Sequence, residues 1–293
     1  MKSIFKSSTF SALKKNKDAK KHWARRVFEK VLDKKENLLA ILGIFTFFAL
    51  WQAISIMDLV DRIFISSPLE VISELALMFA NGNIYPHLII SLEEFFLGFL
   101  LAVLLGITLG IFIGWYKYLH SFSNSLIYSF YSTPMVALIP LIIIWLGLGV
   151  GAKVVIVFLA SFFPILINTI GAVRNLDPVY TKLGKSFGAN DFDIFRFIAF
   201  PASIPFISTG IRVAIPRGII GMIVGEFFVS NKGIGYLITF YGSTFQTGKL
   251  LAVVVLIVSV STILTYIANF FEKLFAVNRK VTRFRNPYKI KKN

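Results

Sequence analysis

Long apolar segments alternate with short polar stretches along most of this chain. A helix needs roughly 20 apolar residues to cross a hydrocarbon core about 30 Å thick. Six segments approach or exceed that length, and they lie at about 38–57, 89–115, 122–146, 153–172, 204–228 and 250–271. The third and fourth are separated only by the glycine-rich stretch 147–151. The pattern predicts an all-α membrane protein, a polytopic bundle of about six transmembrane helices.

Composition and charge agree with a membrane location. The chain is 56% hydrophobic, whereas about 45–50% of residues are apolar in soluble domains. Its formal net charge is +16, but the basic residues are concentrated at the two ends: residues 1–37 contain 12 Lys or Arg, and residues 272–293 contain 8. Such segregation is typical of membrane orientation and disfavours a nucleic-acid partner. The absence of cysteine excludes disulfide bonds and cysteine-ligated metals.

The basic ends predict the orientation of the chain and its division. Because Lys and Arg are retained on the cytoplasmic side, both ends are expected to be cytoplasmic. The chain then consists of a basic N-terminal tail, a first helix, an extracytoplasmic connection, a five-helix core and a basic C-terminal tail, at 1–37, 38–57, 58–88, 89–271 and 272–293. Within the connection, Ser67, Pro68 and Glu70 form a capping signal that predicts a short amphipathic helix at the outer surface.

The cytoplasmic connection at 173–203 is unusually long for a small polytopic protein. Asp177 and the proline after it predict the start of a helix. Gly188 is placed to end that helix in the left-handed conformation, and Asn190 can cap a second helix that Pro201 would stop. The sequence therefore predicts two short helices joined at a glycine.

The first of these helices carries a narrow apolar stripe. Val179, Leu183 and Phe187 recur at every fourth position on an otherwise polar helix. From the residues alone, this loop could rest on the membrane surface, cover the helix bundle or dock into another protein.

The same loop resembles a known element. Residues 182–189 read KLGKSFGA, residues 194–196 read IFR and residues 200–205 read FPASIP. They are similar to the EAA loop of binding-protein-dependent ABC importer permeases, whose pattern is E-A-A, three residues, G, and about a dozen residues to L-P. Gly188 and Pro201 match the glycine and proline of that pattern. Lys182-Leu183-Gly184 replaces E-A-A, so the family's glutamate salt bridge is not expected here.

The likeness covers about 65–280 and points to the nitrate, sulfonate and taurine branch. Its further matches follow in order at 87–92, 134–140, 209–212, 225–226 and 233–237, together with the glycines at 98, 106, 110 and 114. The resemblance implies a permease subunit in the inner plasma membrane of a prokaryote. It implies as partners two ATPase subunits, a second permease copy forming a homodimer, and an extracytoplasmic solute-binding protein.

The resemblance also implies how the subunit works. The 177–200 loop would couple it to ATP hydrolysis, with ATP and Mg²⁺ used by the partner ATPase rather than by this chain. The residues expected to carry the coupling are Val179, Leu183, Phe187, Gly188, Ala189 and Pro201. The rival interpretation packs the apolar stripe on the underside of the bundle. The solute would be a nitrate-, sulfonate- or taurine-like anion, or a thiamine-precursor- or riboflavin-like molecule.

No enzyme chemistry is visible in the residues. The sequence has no P-loop motif and no nucleophile elbow, and its three histidines lack metal-site spacing. We therefore expect no catalytic residue and no metal site. The alternative functions are a secondary transporter or a channel without an ATPase partner, but neither inverted repeats nor a selectivity filter is evident.

Charged residues inside the apolar segments are the remaining signal, because they are costly in lipid and usually face a bundle interior or water. They are Arg212, Arg217, Glu226, Glu93 and Glu94. One hypothesis is that Arg217 meets an anionic solute in the pathway. The preferred alternative is that Arg217 pairs with Glu93 or Glu94 and holds helices together.

Overall fold

The computed structural model describes residues 38–57 and 59–277. The predictions for the tail at 1–37, and for most of the tail at 272–293, lie outside the described residues. The described part contains helices only, so the predicted all-α fold class is confirmed. They are α1 Leu38–Ile56, α2 Pro68–Ala80, α3 Tyr85–Trp115, α4 Lys117–Ser132, α5 Met135–Leu146, α6 Val150–Arg174, α7 Pro178–Ser186, α8 Asp191–Ile194, α9 Phe200–Val229, α10 Ile234–Ser243 and α11 Thr247–Val277.

Five of the described helices are long and apolar enough to cross a membrane: α1, α3, α6, the continuous helix Asp191–Val229, and α11. Helices α4 and α5 pass the same test as a pair but are bent by 95° at their break, so the described residues contain six spans if this pair counts as one. The segment predicted at 122–146, which contains Pro134 and Pro140, is thus a bent pair of helices in the structure. Its break follows from Pro134, because a proline forces the residue before it out of the helical region, and Thr133 is extended with ψ 129°.

The chain divides into two compact units at residues 70 and 71. Within the first, the Trp51 indole N–H donates to the Ser66 carbonyl at 2.8 Å. Ser67 Oγ accepts a hydrogen bond from the Glu70 N–H at 3.1 Å, and α2 begins between them at Pro68. The short helix predicted from this capping signal is confirmed.

In the second unit, α6 packs between α3 and α9, and both neighbours face it with glycines. A Cβ added at Gly110 of α3 would lie 2.6 Å from the Thr169 Cβ, and one at Gly221 of α9 would lie 2.9 Å from the Ala160 Cβ. Gly98, Gly106, Gly114, Gly210 and Gly218 make similarly close contacts. Small residues let helix backbones approach closely in membrane proteins, where no hydrophobic force drives helices together.

Helix α8 runs without interruption into α9, so the prediction that Pro201 ends the second loop helix was wrong. Asn190 and Asp193 form a reciprocal capping box that starts α8, as predicted. The chain then makes a π-helical turn at Phe195–Ala199, in which the Phe200 N–H bonds to the carbonyl of Phe195, five residues back. A π turn shifts the hydrogen-bond register by one residue. Pro201, which has no N–H to donate, is tolerated in the first turn after this shift.

Candidate functional site

Helix α7 forms from local signals at both ends. Asp177 Oδ1 accepts a hydrogen bond from the Val179 N–H at 2.9 Å and caps the first turn. At the other end, Gly188 has φ +80°, and the Ala189 N–H bonds to the Gly184 carbonyl at 3.1 Å in a Schellman arrangement. The predicted start and glycine stop of this helix are confirmed.

The two faces of α7 have different surroundings. Gly184 is buried, and a Cβ there would lie 3.2 Å from side-chain atoms of both Ile194 and Ile198. The predicted stripe points elsewhere and is exposed: Val179 by 63%, Leu183 by 53% and Phe187 by 84%. Within the described residues, α7 therefore packs on α8 through its glycine and leaves its apolar stripe uncovered.

At the opposite end of the bundle, three side chains from α3 and α9 accept hydrogen bonds from the N–H groups at the start of α10. The bonds run from Gly233 N–H to His87 Nδ1 at 3.0 Å, from Ile234 N–H to Ser91 Oγ at 2.8 Å and from Gly235 N–H to Glu226 Oε2 at 2.6 Å. Ser91 Oγ also donates to Glu226 Oε1 at 2.5 Å. Glu226 is thus a buried carboxyl group that accepts hydrogen bonds at a helix N-terminus, where the first N–H groups have no partner within the helix.

A buried ion pair lies beside this network. Glu94 of α3 pairs with Lys153 of α6, and both are almost completely buried. Lys153 Nζ also donates to Ser230 Oγ at 3.3 Å. Glu93, the neighbour of Glu94 in sequence, is exposed. The pair joins α3 to α6, and its burial makes either partner costly to remove alone.

Arg217 has surroundings that differ from the preferred interpretation. Its guanidinium Cζ lies 5.1 Å from the ring centroid of Tyr131, and no described carboxylate is within ion-pair distance. The predicted pairing of Arg217 with Glu93 or Glu94 was wrong, because Lys153 already neutralises Glu94 and Glu93 is on the surface. Arg217 is exposed near the middle of α9, about 25 Å from its start at 1.5 Å per residue.

Arg217 and Tyr131 line a cavity of about 410 Å³ between α4, α5, α6 and α9. The other lining residues are mainly apolar or aromatic, and include Phe130, Thr133, Met135, Trp145, Phe163 and Pro164. Residues on both sides of the bend between α4 and α5 line this cavity. It therefore presents a single cation, Arg217, in a mainly apolar and aromatic wall.

Arg212 has a different role. It forms an ion pair with Glu272 at 3.1 Å and donates to Asn269 Oδ1 and Thr209 Oγ1, each at 2.9 Å. Glu272 and Asn269 belong to α11, so Arg212 ties α9 to α11. Of the two arginines predicted as intramembrane charges, only Arg217 faces a cavity as an unneutralised cation within the described part of the chain.

Several residues of these sites were not predicted from the sequence. Lys153 begins the fourth apolar segment, and its position at the edge of an apolar run is more typical of a helix end than of a buried pair. Its charge was nevertheless a usable signal. Ser91 and Tyr131 gave no such signal, because serine and tyrosine are common in membrane helices.

Comparison with known proteins identifies the family. A family model described as the inner membrane component of binding-protein-dependent transport systems matches residues 102–277, which is more than half of the chain. The chain belongs to this family. The permease is therefore an ABC importer membrane component, as its resemblance to the nitrate, sulfonate and taurine branch predicted.

Individual relatives agree over most of the permease. It is 32% identical over 227 residues to the putative aliphatic sulfonates transport permease protein SsuC of Escherichia coli, covering 78% of this chain and 86% of that protein. It is 25% identical over 235 residues to the taurine transport system permease protein TauC of Escherichia coli, covering 78% and 86%. It is also 31% identical over 224 residues to the riboflavin transport system permease protein RibX of Chloroflexus aurantiacus, covering 76% and 84%.

The fold agrees with solved transporters. A chain of the MetNI methionine ABC transporter in an inward-facing conformation superposes with a TM-score of 0.56 at 16% identity, covering 64% of the permease and 93% of that chain. A chain of an amino acid ABC transporter superposes with a TM-score of 0.55 at 17% identity, covering 70% and 98%. The membrane fold of the permease is thus that of ABC transporter membrane subunits.

Proposed function

We propose that two copies of this permease form the translocation pathway of an ATP-driven importer for a small organic anion of the sulfonate or taurine type. The names of its relatives SsuC and TauC support this solute class. The unneutralised Arg217 in a membrane cavity also favours an anion over a neutral molecule such as riboflavin. The complete importer would include two ATPase subunits, which use ATP and Mg²⁺, and an extracytoplasmic solute-binding protein. This subunit itself would catalyse no reaction.

The observation that carries the coupling proposal is the exposed apolar stripe of α7. Val179, Leu183 and Phe187 stand free of the bundle on a helix of nine residues that follows the membrane span α6. Leaving such a stripe in water is unfavourable by about 25 cal/mol per Å² of apolar surface, so a docked partner would stabilise it. We assign the stripe to a groove on each ATPase subunit.

Coupling further requires that movement of α7 reach the pathway. Gly184 packs against α8, and α8 continues through the π turn into α9, which carries Arg217. A displacement of α7 would therefore act on the helix that lines the cavity. The ATPase can drive this change only if its contacts with α7 differ between its two nucleotide states.

Leu183→Glu tests the docking surface. A carboxylate in the middle of the stripe would be desolvated on docking, so we expect the ATPase subunits to be lost from the purified complex and ATP-dependent uptake of ethanesulfonate to fall at least about tenfold. The measurements are subunit stoichiometry after affinity purification and uptake by proteoliposomes.

Lys185→Glu is the matched control, because it places the same carboxylate on the opposite side of α7. Its only described ionic contact is an exposed pair with Asp191 at 3.5 Å, which contributes little. This variant should keep its ATPase partners and its uptake. An intact, active complex with Leu183→Glu would refute docking through the stripe.

A further inference from the structure

A second cavity lies between α4 and α6, two of the four helices around the Arg217 cavity. It has a volume of about 190 Å³, with His120, Asn124, Tyr128 and Arg174 among its lining residues. We call the two cavities together the groove. Arg174 is the last residue of α6 and is exposed. The two cavities thus follow the same pair of helices, from the middle of the bundle towards the end that carries α7.

The α4 wall of this groove is a polar face on a membrane helix. His120, Asn124, Tyr128 and Tyr131 recur at intervals of three or four residues, so they share one side of α4 over about 16 Å of its length. On other sides of α4, the hydroxyls of serines such as Ser121 and Ser129 donate hydrogen bonds to backbone carbonyls four residues back.

Asn124 and Tyr128 have no side-chain hydrogen-bond partner within the described residues, unlike those serines. A polar group without a protein partner is costly inside a membrane unless it faces water or a passing solute. We therefore expect this face of α4 to meet water or solute rather than lipid.

The charge of the groove has one sign. Arg217 lies near its middle-membrane end and Arg174 at its other end, and no Asp or Glu lines either cavity. Two other cavities near the α7 end differ, because each includes a carboxylate. In one, Asp191 lies in the same wall as Arg196. In the other, Glu272 lies in a mainly apolar wall. A groove with only cations lowers the energy of an anion and raises that of a cation.

From these observations, we propose that the groove between α4 and α6 is the inner half of the solute pathway, and that Arg217 and Arg174 are its two anion-selecting positions. The inference rests on the proposed function and deepens it by assigning the part of the chain that the anion crosses. Tyr131 acts as a positioning residue, since its ring holds the Arg217 guanidinium over the cavity.

The permease contains no cysteine, which allows a direct test. A single cysteine is introduced by Asn124→Cys in the full chain, purified with its accompanying subunits. Its modification rate is measured with two methanethiosulfonates of similar size, the anionic sulfonatoethyl reagent and the cationic trimethylammonioethyl reagent. The ratio of the two rates is divided by the same ratio for 2-mercaptoethanol, which corrects for the intrinsic reactivity of the reagents. The normalised ratio reports the electrostatic potential at position 124 independently of transport.

We expect the anionic reagent to be preferred, and this preference to fall about threefold to tenfold when Arg217→Gln or Arg174→Gln is added. That is the size expected when one unit charge near the thiol is removed in partly hydrated surroundings. Arg217→Lys should restore the preference. Lys249→Gln, which removes a cation outside both cavities, should leave it unchanged.

Three outcomes would overturn the proposal: no modification by either reagent, a normalised ratio near one, or a ratio that both arginine variants leave unchanged. Ethanesulfonate uptake by the Arg217→Gln complex is then measured in proteoliposomes. Loss of uptake with bound ATPase and retained ATP hydrolysis supports the proposal, whereas unchanged uptake opposes it. Failure of the wild-type chain to bind an ATPase would instead refute the proposed function. The reagent ratio does not depend on ATPase binding, so the two failures can be told apart.

Discussion

Glu226 shows how much one buried carboxylate contributes to this fold. It is completely buried, and it accepts hydrogen bonds from the Gly235 N–H and from the Ser91 hydroxyl. Gly233 and Gly235 are required beside it, because a Cβ at Gly233 would collide with the Glu226 carboxylate, and one at Gly235 would collide with the Ile223 carbonyl and the Glu226 Cβ. The network therefore depends on side-chain size as well as on charge.

Glu226→Ala should destabilise the permease by about 2–4 kcal/mol, because it leaves two buried donors without acceptors. Glu226→Gln retains one acceptor oxygen and should cost less. The measurement is the thermal unfolding temperature of the purified complex in detergent, which should fall by several degrees for the alanine variant.

Glu93→Ala is the matched control, since Glu93 is an exposed glutamate on the same end of α3. Its unfolding temperature should stay within about one degree of wild type, as is usual for surface substitutions. Equal stability of Glu226→Ala and Glu93→Ala would contradict the capping role of Glu226.

Among the helices, α7 and α8 show where sequence signals suffice. Asp177, Gly188 and Asn190 act on N–H groups two or three residues away or on their own backbone, so their effects are visible in the sequence. Pro201 was misinterpreted because its effect depends on the π turn before it, which no local residue pattern announces. Helix α10 was missed because its ten residues are too few for a span and its N-terminus is capped from α3 and α9.

The contact between α7 and α8 should control how efficiently ATP hydrolysis is used. Gly184→Val adds side-chain atoms where Ile194 and Ile198 already approach to 3.2 Å from a hypothetical Cβ, so α7 must move away from α8. We expect the amount of solute transported per ATP hydrolysed to fall about threefold to tenfold, within the range by which single residues alter coupling. The measurement compares ethanesulfonate uptake with phosphate release in the same proteoliposomes.

Ser186→Val is the control, because Ser186 is exposed at the end of α7 and, among the described residues, its hydroxyl donates only to the Lys182 carbonyl. It adds a branched side chain to α7 without pressing on α8. A Gly184→Val complex with wild-type coupling would show that close packing at this glycine is unnecessary.

Over the whole molecule, the apolar pattern predicted which segments are long enough to span a membrane, but it did not predict which polar side chains meet. Span length depends on one segment at a time. By contrast, the choice of Lys153 rather than Arg217 as the partner of Glu94 depends on how α3, α6 and α9 are rotated against one another. That rotation is set by the glycine contacts along α6, and a glycine in the sequence does not reveal which helix it faces.

The orientation of the whole permease is the remaining prediction from the sequence. Residues 1–37 contain 12 Lys or Arg and residues 272–293 contain 8, so the tails should remain cytoplasmic, with α7 on the same side and α10 on the outside. In the cysteine-free chain, Asn231→Cys and Ser186→Cys place single thiols at exposed positions near α10 and α7. A membrane-impermeant maleimide should label Asn231→Cys in right-side-out vesicles, and Ser186→Cys only after detergent is added. The reverse labelling would place α7 outside, beyond the reach of a cytoplasmic ATPase, and would contradict both the orientation and the coupling proposal.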